Sequence, residues 1–529
     1  MSDRRSVSSL KSSPLPGSQQ FSGSCFSVEA IRELDKRSAA AQGLSEFELM
    51  QRAGYAAFAH LINQWPTAKR IAVLCGTGNN GGDGWVIAKH LEEQGLSCDV
   101  FLLGQSSRIS GAALEAHEEW RKFASATERS FLDCADFGKD EIGYDVVVDA
   151  LVGIGFQGLA RPELIALIDS VNQMASPVLS LDIPSGLNAD TGEAGSAVIE
   201  AHTTLTFIAM KPGLLTGRAR DVVGRLVLEP LATPSGVFKE VGAVAHSWAY
   251  ELPPALSTPR RPAAHKGSFG HVLVVGGHVG MGGAAILAAS AALRAGAGLV
   301  SLATRSCNVP AAISRHPEVM TRSIDQPEDL SPMFEDASVI VVGPGLGMDG
   351  WSRACLKLVQ ESNKPLVVDA DALNLLAEET SFENLTAGSV LTPHPGEAAR
   401  LASMRVADVE ANRFHWAQML ARQYQSTVIL KGAGSIVAPN RPGDTLHVCS
   451  IGNPGMATGG MGDVLAGLVG ALLAQGYEAE LAALGGTLAH AAAGDLAWRE
   501  YGIGLTATDV IDRLGAVLTP GMPRAMDYC

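Results

Sequence analysis

The feature that most constrains this chain is an alternation of short apolar runs with helix-length segments, which occurs in two series. In the first half, six runs of five to seven residues are rich in Val, Ile and Leu. They are IAVLC (71–75), CDVFLL (98–103), YDVVVDA (144–150), PVLSLDI (177–183), TLTFIA (204–209) and RLVLEP (225–230). Two helical patterns precede them between 28 and 63, the second with Ser45 as its N-cap. This order predicts a buried parallel sheet with helices on both faces.

A second series follows a stretch that contains four prolines, ELPPALSTPRRPAAHK (251–266). Its apolar runs are HVLVVGG (271–277), LVSLAT (299–304), ASVIVVG (337–343), PLVVDA (365–370), GSVLTP (388–393) and TVILKG (427–432). Ala-rich or Gly-rich helices are expected at 283–296, near 461–475 and at 479–497. We therefore expect two α/β domains joined by a proline-rich linker.

Charge and cysteine content narrow the class of protein. The chain has 529 residues, enough for two to four domains, and its net charge of −15 disfavours a nucleic-acid or anionic-membrane surface as the main partner. Eight cysteines show no CxxC spacing, which indicates reduced thiols and a cytoplasmic location. The Ser-rich start predicts a disordered leader, and the most apolar stretch (464–474) is too short to cross a bilayer.

The loop GTGNNGGDGW (76–85) connects the first run to a helix. Glycines at a strand-to-helix turn let the backbone approach a ligand and expose N–H groups, as in phosphate sites. Asp83 opposes a phosphate, because its carboxylate repels one. Asn79, Asn80 and Asp83 suit a cation or an uncharged polar group instead.

Two other strand ends carry similar groups. Asp149 ends a run before a second glycine loop, and Asp182 and Ser185 follow the next run along the chain. Each could simply cap a turn. Because the carboxyl ends of parallel strands share one edge of a sheet, we expect the three to converge on one crevice.

GNNGGDG, DALVGIG and SLDIPSGLNADTG together resemble the N-terminal domain of the bifunctional NAD(P)H-hydrate repair enzymes, as do LMQRAG (49–54) and KPGLLTG (211–217). The resemblance implies a Rossmann-like NAD(P)HX epimerase. Asn80, Asp149 and Ser185 would bind K⁺, and Asp182 would act as acid/base. The residues implied to contact the hydrated nucleotide are Asn79, Asn80, Gly81, Gly82, Asp83, Gly153, Ile154, Gly155, Phe156, Gln157, Gly158, Leu159 and Asp182.

The richest stretch of the second half is GNPGMATGGMGDVLAG (452–467). Gly460–Gly462 would form a helix N-terminus, which stabilises negative charge on a phosphate or oxyanion, and Asp463 is an acid/base candidate beside it. His394 lies in LTPHPGEAARL at another strand end, where it could be structural. Lys431 enters the turn of ILKGAGSIV, either near a phosphate or on a solvated hairpin.

GPGLG, DADALN, TPHPGE and GGMGDVLAG resemble the ribokinase-like NAD(P)HX dehydratase domain of the same family. By this resemblance Ala284, Gly347, His394 and Asp463 would hold the substrate. Lys431, Gly432, Ala433, Gly434, Ser435 and Gly462 would hold the nucleotide. The implied reaction phosphorylates the C6 hydroxyl of the S epimer from ADP, with Asp463 as base and Mg²⁺ offsetting charge, and yields AMP and phosphate.

The resulting prediction is an α/β protein of two domains, an N-terminal Rossmann-like three-layer α/β/α domain and a C-terminal ribokinase-like α/β domain. The predicted segments are a leader (1–25), an epimerase domain (26–240), a linker (241–261) and a dehydratase domain (262–520). The partners would be NADHX, NADPHX and ADP, without nucleic acid or membrane, and the family resemblance implies a homo-oligomer. A ribokinase-type vitamin kinase and a non-enzymatic scaffold stay open as alternatives.

Overall fold

The computed structural model describes residues 21–126, 132–134, 137, 143–156, 158–378, 385–441 and 443–519. The chain divides into two compact units, which are described separately. The first consists of Gly23–Ser247 with Glu410–Asn412, and the second is formed mainly by Trp248–Val409 and the chain from Arg413 onward. Each unit combines a sheet with helices, so the predicted two-domain α/β fold class is confirmed.

The first unit contains a parallel sheet flanked by helices. Its elements are β1 (Gly23–Cys25), α1 (Val28–Gln42), α2 (Glu46–Gln64), β2 (Arg70–Cys75), α3 (Asn79–Glu93), β3 (Ser97–Leu102), α4 (Gly111–Ala126), β4 (Leu132–Asp133), β5 (Val146–Ala150), α5 (Pro162–Asn172), β6 (Val178–Leu181), β7 (Thr203–Phe207), α6 (Ala219–Val222), β8 (Arg225–Glu229), α7 (Ser235–Lys239) and β9 (Ala245–Trp248). The strand order is β4-β3-β2-β5-β6-β7-β8, and every neighbouring pair is parallel. The chain leaves β2 toward one edge and β5 toward the other, so a ligand crevice is expected where these two strands end.

Side chains that alternate along the strands pack into two cores, one on each face of the sheet. Ile71 and Val73 of β2 pack into a core with α1–α4, whereas Ala72 and Leu74 of the same strand pack into a core with α5. Successive side chains of a strand point to opposite faces, so a strand covered on both sides is apolar throughout. Ser45 caps α2 and accepts the N–H of Glu48, as the sequence predicted.

Two segments expected to lack regular structure contain short elements. Of the leader predicted at 1–25, residues 1–20 lie outside the described residues, and Gly23–Cys25 forms β1 rather than disordered chain because it pairs antiparallel with β9. The linker predicted at 241–261 contains β9. Both strands are stabilised by backbone pairing with a partner that is distant in sequence. The local amino-acid composition does not predict such pairing.

The second unit is also built on a central sheet. Its elements are β10 (His271–Val275), α8 (Gly282–Arg294), β11 (Leu299–Thr304), α9 (Val309–Arg315), β12 (Met320–Ser323), β13 (Val339–Val342), α10 (Gly350–Glu361), β14 (Leu366–Val368), α11 (Ala370–Glu378), β15 (Val390–Leu391), α12 (Pro395–Leu401), α13 (Val406–Ala411), α14 (Arg413–Gln423), β16 (Thr427–Leu430), β17 (Ile436–Ala438), β18 (Leu446–Cys449), α15 (Met461–Ala474), α16 (Ala479–Tyr501) and α17 (Ala507–Leu518). Its strands follow the order β18-β17-β16-β15-β14-β13-β10-β11-β12. The order reverses between β10 and β13, so the loops after these two strands flank a second crevice.

This second sheet is mixed rather than wholly parallel. Strands β10 to β16 run parallel, but β17 pairs antiparallel with both β16 and β18. Only five residues, 431–435, separate β16 from β17. A connection that short permits a hairpin and excludes the crossover that a parallel pair requires.

Small residues let the apolar helices of the second unit pack closely. A Cβ on Gly467 of α15 would lie 2.0 Å from the carbonyl oxygen of Ala288 in α8, and one on Gly470 would lie 2.4 Å from Val341 of β13. Alanine at either position would therefore collide with a packed neighbour. Among the residues that the structure describes, no helix is both long and apolar enough to span a bilayer.

Candidate functional sites

A cavity of about 600 Å³ opens at the carboxyl ends of the strands in the first unit. The residues after β2, β5, β6 and β7 line it together with one face of α1. This is the crevice that the strand order predicts.

The strand-end residues expected at a ligand site are partly brought together there. Those that line the cavity are Asn79, Asn80, Asp83, Gly153, Ile154, Gly155 and Asp182. Gly81 and Gly82 do not, because both face protein. A Cβ on Gly81 would lie 2.0 Å from the carbonyl oxygen of Gly76, and one on Gly82 would lie 2.4 Å from the sulfur of Met50. These two glycines serve the packing of α3 rather than contact with a ligand.

The second glycine loop also contributes only in part. Phe156, Gly158 and Leu159 are not among the residues that line the cavity. The ring of Phe156 lies near Gly195, and Leu159 is 86 % exposed. Gln157 lies outside the described residues. The loop therefore reaches the cavity with 153–155.

Asp149 ends β5 as a completely buried carboxylate. It accepts hydrogen bonds from Ser185 Oγ (2.6 Å), Ser180 Oγ (2.8 Å), Ser185 N (2.9 Å) and Leu151 N (3.3 Å). Burial raises its pKa, and these bonds act against the increase. In the described part of the chain no basic side chain pairs with it, so its charge lacks a protein counter-ion.

Asn80 lies on the first turn of α3, beside the glycine loop that follows β5. Its side chain is buried, and neither Oδ1 nor Nδ2 has a hydrogen-bond partner among the described residues. Gly153 leaves room for it, since a Cβ there would lie 3.3 Å from the Asn80 amide carbon. A buried amide without partners is costly, which indicates that it binds something that the protein itself does not supply.

Asp182 follows β6 and is held by a buried lysine. Lys211 Nζ donates to Asp182 Oδ1 (2.5 Å), to Thr206 Oγ1 (2.9 Å) and to the carbonyl oxygen of Phe207 (2.8 Å). Thr206 Oγ1 and Phe207 N also donate to Oδ1, so among described residues Oδ2 receives no donor. Asp182 adopts a φ of 64°, an unfavourable conformation retained at the cavity.

Two more carboxyl groups face the cavity, from Asp35 of α1 and Asp83 of α3. Burial, together with the charge of Asp182, raises the pKa of Asp35 to about 7 although Lys211 opposes the increase. Burial and the same carboxylate raise the pKa of Asp83 well above its usual range. Sequence reasoning assigned no role to Asp35 or Lys211. Lys211 opens the motif KPGLLTG, but nothing distinguishes Asp35 from other charged residues of its helix.

A second cluster of ionisable groups lies at the strand ends of the second unit. Lys431, after β16, donates to Asp369 Oδ1 (2.6 Å) and lies 3.7 Å from Glu397 Oε2. Thr392 Oγ1 donates to the same Asp369 oxygen at 2.7 Å. Burial lowers the pKa of Lys431, but Asp369 and Glu397 outweigh it and raise the pKa overall. The lysine therefore remains charged beside two buried carboxylates.

Asp463 joins this cluster from the first turn of α15, whose N-cap is Gly460 as the sequence predicted. A Cβ on Gly462 would lie 3.1 Å from Lys431 Nζ and 3.6 Å from Asp369 Oδ2. Burial and the charge of Asp369 raise the pKa of Asp463 to about 7, against the effect of Lys431. A carboxyl with such a pKa, next to exposed helix N–H groups, suits proton transfer at neutral pH.

The predicted nucleotide turn, Lys431–Ser435, is held from beneath by a buried arginine. Arg413 donates to the carbonyl oxygen of Lys431 at 3.0 Å, and Gly432 passes directly over the guanidinium with a φ of 138°. Ser435 Oγ bonds back to the carbonyl oxygen of Gly432 at 3.0 Å. Sequence reasoning missed Arg413, because its contact is made from a helix that precedes β16.

His394 is the N-cap of α12. Its Nδ1 accepts the N–H groups of Gly396 (2.9 Å) and Glu397 (3.3 Å), so the proton of the neutral ring is on Nε2. Burial and the nearby Lys431 lower its pKa, which favours this neutral form. The ring is half exposed beside Glu397 and has a structural role whatever else it binds.

Ala284 lies in the first turn of α8, and Gly347 lies on the loop after β13. A Cβ on Gly345 would lie 3.2 Å from the Ala284 Cβ, which places the start of α8 against the loop after β13. Gly347 N donates to Asp371 at 2.8 Å, and the charge of Asp371 acts on Asp463. Gly347 is thus linked to the cluster through Asp371.

No three His, Cys, Asp or Glu side chains converge as a metal site in the part of the chain described. The carboxylates of the second cluster already face Lys431. A divalent ion there would have to take most of its ligands from phosphates and water, as Mg²⁺ commonly does.

Two family models match this chain. One, described as YjeF-related protein N-terminus, matches residues 46–213, and the other, described as NAD(P)H-hydrate dehydratase, matches residues 272–515. The first match contains the loop of Asn80, and the second contains Lys431 and Asp463.

Curated relatives match both halves together. The chain is 43 % identical to the bifunctional NAD(P)H-hydrate repair enzyme Nnr of Coxiella burnetii, over 93 % of this chain and 98 % of that protein. It is 41 % identical to the enzyme of the same name from Escherichia coli, over 93 % of each. A crystal structure of the ADP/ATP-dependent NAD(P)H-hydrate dehydratase of Bacillus subtilis is 28 % identical, with a TM-score of 0.44 over 49 % of this chain and 92 % of that one.

Proposed function

The chain belongs to the family of bifunctional NAD(P)H-hydrate repair enzymes, and from this premise we propose how its two sites divide the repair of hydrated nicotinamide nucleotides. The first unit interconverts the R and S epimers of NADHX and NADPHX at C6. The second dehydrates the S epimer to NADH or NADPH at the expense of ADP. The observation that carries this division is that each matched region contains its own cluster of ionisable side chains at the strand ends.

Epimerisation needs a group that exchanges a proton at the C6 hydroxyl. Asp182 suits this task because Lys211 and two further donors occupy Oδ1 and leave Oδ2 free in a cavity large enough for a nucleotide part. Asn79, Asn80, Asp83 and 153–155 surround the same space and supply polar contacts. The predicted contacts of Gly81, Gly82, Phe156, Gly158 and Leu159 are not retained in this proposal.

The first unit would hold K⁺ between Asn80, Asp149 and Ser185. The amide oxygen of Asn80 is buried without a partner, and Asp149 is a buried charge without a basic neighbour among described residues. A monovalent cation with oxygen ligands would satisfy both, and Ser185 Oγ lies 2.6 Å from the carboxylate. When bound, K⁺ would supply counter-charge and hold the glycine loops together.

Dehydration in the second unit begins with phosphoryl transfer. Asp463 takes the proton of the C6 hydroxyl while the hydroxyl oxygen attacks the terminal phosphorus of ADP. AMP then leaves with the electrons of the broken P–O bond. Lys431 and the N–H groups at the start of α15 stabilise the negative charge of the transferring group. The C6–O bond then breaks, phosphate departs, and loss of a C5 proton restores the dihydronicotinamide.

Lys431–Ser435 and Gly462 would bind the nucleotide, and Ala284, Gly347 and His394 would bind the hydrated nicotinamide. Asp369 and Glu397 would hold Mg²⁺, which offsets the charge of the phosphates when bound. We also retain self-association of the chain as a proposal, tested by light scattering at several protein concentrations.

The matches over both halves favour this function over a vitamin kinase or a scaffold, since neither alternative accounts for relatives that span 93 % of the chain. The proposal is tested with an R/S mixture of hydrated NADH and either ADP or ATP. Full recovery of dihydronicotinamide absorbance is expected with ADP. Recovery of the S half alone would refute the epimerase, and the absence of recovery with both nucleotides would refute the dehydratase.

A further inference from the structure

A carboxyl group that the proposed mechanism leaves without a task reaches the first-unit cavity. Asp35 lies on the face of α1 that lines this cavity, together with Ile31, Arg32 and Lys36. Its carboxyl takes part in no hydrogen bond or ion pair within the described part of the chain. It is therefore half-buried at the edge of a ligand cavity without a structural partner among the described residues, an arrangement that costs stability.

The charges around Asp35 come from several elements. Lys211 and Asp182, from the ends of β7 and β6, and Glu46 of α2 act on it electrostatically, and Asp83 of α3 faces it in turn. Because Lys211 is bonded to Asp182 at 2.5 Å, the cation is already matched by one carboxylate. Asp35 has no such bonded cation among the described residues, and its pKa of about 7 lets it hold a proton near neutral pH.

We propose that Asp35 is a second catalytic residue of the epimerisation and forms with Asp182 an acid/base pair that acts on C6 from two different elements. This inference rests on the proposed epimerase function of the first unit. Asp35 would supply the proton donor that the site lacks when Asp182 acts alone as base. This role would also explain why a carboxyl without a partner among the described residues lies at the cavity.

The step balances by elimination and re-addition. Asp35 gives its proton to the C6 hydroxyl, the C6–O bond breaks with its electron pair on oxygen, and water leaves while the N1 lone pair forms an N1=C6 bond. Water adds to the other face of C6 and loses a proton to Asp182. One turnover leaves Asp35 ionised and Asp182 protonated. The starting state returns when the opposite epimer is processed with the two roles exchanged, or when Asp182 loses its proton to solvent and Asp35 takes one from it.

Asp83 is less suited to this role although it lines the same cavity. Burial and the charges of Asp182 and Asp35 raise its pKa well above the usual range, which favours its protonated form. A carboxyl held in its protonated form donates a hydrogen bond but exchanges a proton less readily in each turnover.

The test compares Asp35→Asn with a matched control, Glu33→Gln. Glu33 lies on the same helix, but its side chain is 45 % exposed and pairs with Arg37. Interconversion of purified R and S epimers should fall by about 100-fold or more in Asp35→Asn and stay unchanged in Glu33→Gln. Dehydration of the S epimer by the second unit should be unchanged in both, and a cooperative unfolding transition of the first unit, retained in both variants, would show that this unit folds.

The variant Asp35→Glu tests the pH dependence of the epimerisation rate, which would not change if Asp35 had only a structural role. The rate at low substrate should decline as pH rises through about 7 in the wild type, and this decline should shift in Asp35→Glu. Interconversion in water enriched in oxygen-18 should incorporate solvent oxygen. A near-normal rate in Asp35→Asn, an unmoved pH profile in Asp35→Glu, or no incorporation would each overturn the inference. If the wild type itself dehydrates but does not interconvert, the proposed epimerase function fails instead, and this inference with it.

Discussion

Lys431 Nζ lies 2.6 Å from Asp369 Oδ1, and both side chains are largely buried where two parallel strands of the second unit end. The pair contributes one cation and one anion to a cluster that also holds Glu397 and Asp463. The site thus carries excess negative charge before a substrate binds. Burial first, and then the negative charge of Asp369, raise the pKa of Asp463 to about 7, because protonation relieves both costs.

Replacement of Asp463 by Asn should abolish dehydration and leave epimerisation intact. Loss of the base should lower the dehydration rate by about 10²–10⁴-fold. In the wild type this rate should rise with pH through about 7, because the base must be deprotonated. Stopped reactions analysed for S-NADHX, R-NADHX and NADH would show this. Retention of both activities in Asp463→Asn would contradict the role.

Gly462 should tolerate no side chain, whereas its neighbour Gly459 should. A Cβ at 462 would lie 3.1 Å from Lys431 Nζ, but a Cβ at 459 would have nothing within 4 Å. We expect Gly462→Ala to raise KM for ADP and lower kcat, and Gly459→Ala to change neither. Steady-state kinetics with varied ADP compare the two alanine variants. Equal kinetics would show that the space at Gly462 is not used by the nucleotide.

Removal of the Lys431 charge should destabilise the protein as well as inactivate the dehydratase. Lys431→Met leaves Asp369 and Glu397 buried without a cation, which typically costs about 3–5 kcal/mol. Chemical denaturation should therefore show a lower free energy of unfolding for the second unit. A double variant, Lys431→Met with Asp369→Asn, should recover part of it, and no recovery would argue that the pair is not coupled.

Potassium should stabilise the first unit through Asn80. Binding to the folded state raises its stability in proportion to the logarithm of ligand concentration over Kd. The melting temperature and the epimerase rate of the wild type should increase when KCl replaces choline chloride at equal ionic strength. Asn80→Ala should lose this response, because it removes the buried amide oxygen that has no hydrogen-bond partner among the described residues. Dehydration should show no such dependence.

Asp83 should make the protein less stable as pH rises. Its folded-state pKa is raised above the unfolded value, so the stability associated with the protonated carboxyl is complete at low pH and declines as pH rises toward the folded-state pKa. The decline amounts to about 1.4 kcal/mol per pH unit over that interval. The stability of Asp83→Asn should therefore increase relative to that of the wild type as pH rises through this interval. A difference that is constant with pH would contradict the buried carboxyl.

Much of the fold follows from local pattern. The alternating runs predict β2, β3, β5 and most later strands to within a few residues, because a strand covered on both faces must be apolar throughout. The mixed edge of the second sheet was not predicted. The antiparallel pairing of β17 depends on the turn that five residues make after β16. A short apolar run predicts a strand but does not indicate whether that strand pairs parallel or antiparallel.

The candidate sites were recognisable where the functional groups sit at the ends of those strands. Asp149, Asp182 and Asp463 stand next to glycines at strand or helix ends, and parallel strands bring their carboxyl ends to one edge whatever the rest of the chain does. Gly81 and Gly82 share the same motif but face protein. Sequence proximity to a ligand loop does not say which side of a helix a residue occupies.

The sequence by itself determined that the chain has two α/β domains with polar strand ends, because strand burial and turn chemistry are local properties. Only the tertiary structure decided which side chains meet there. Asp35 faces Asp182 because α1 packs over the strand ends, and Lys431 meets Asp369 because β14 and β16 both flank β15. These pairs are separated by 147 and 62 positions in the chain. Only the packing of helices brings the first pair to one cavity, and only the order of strands brings the second pair into contact.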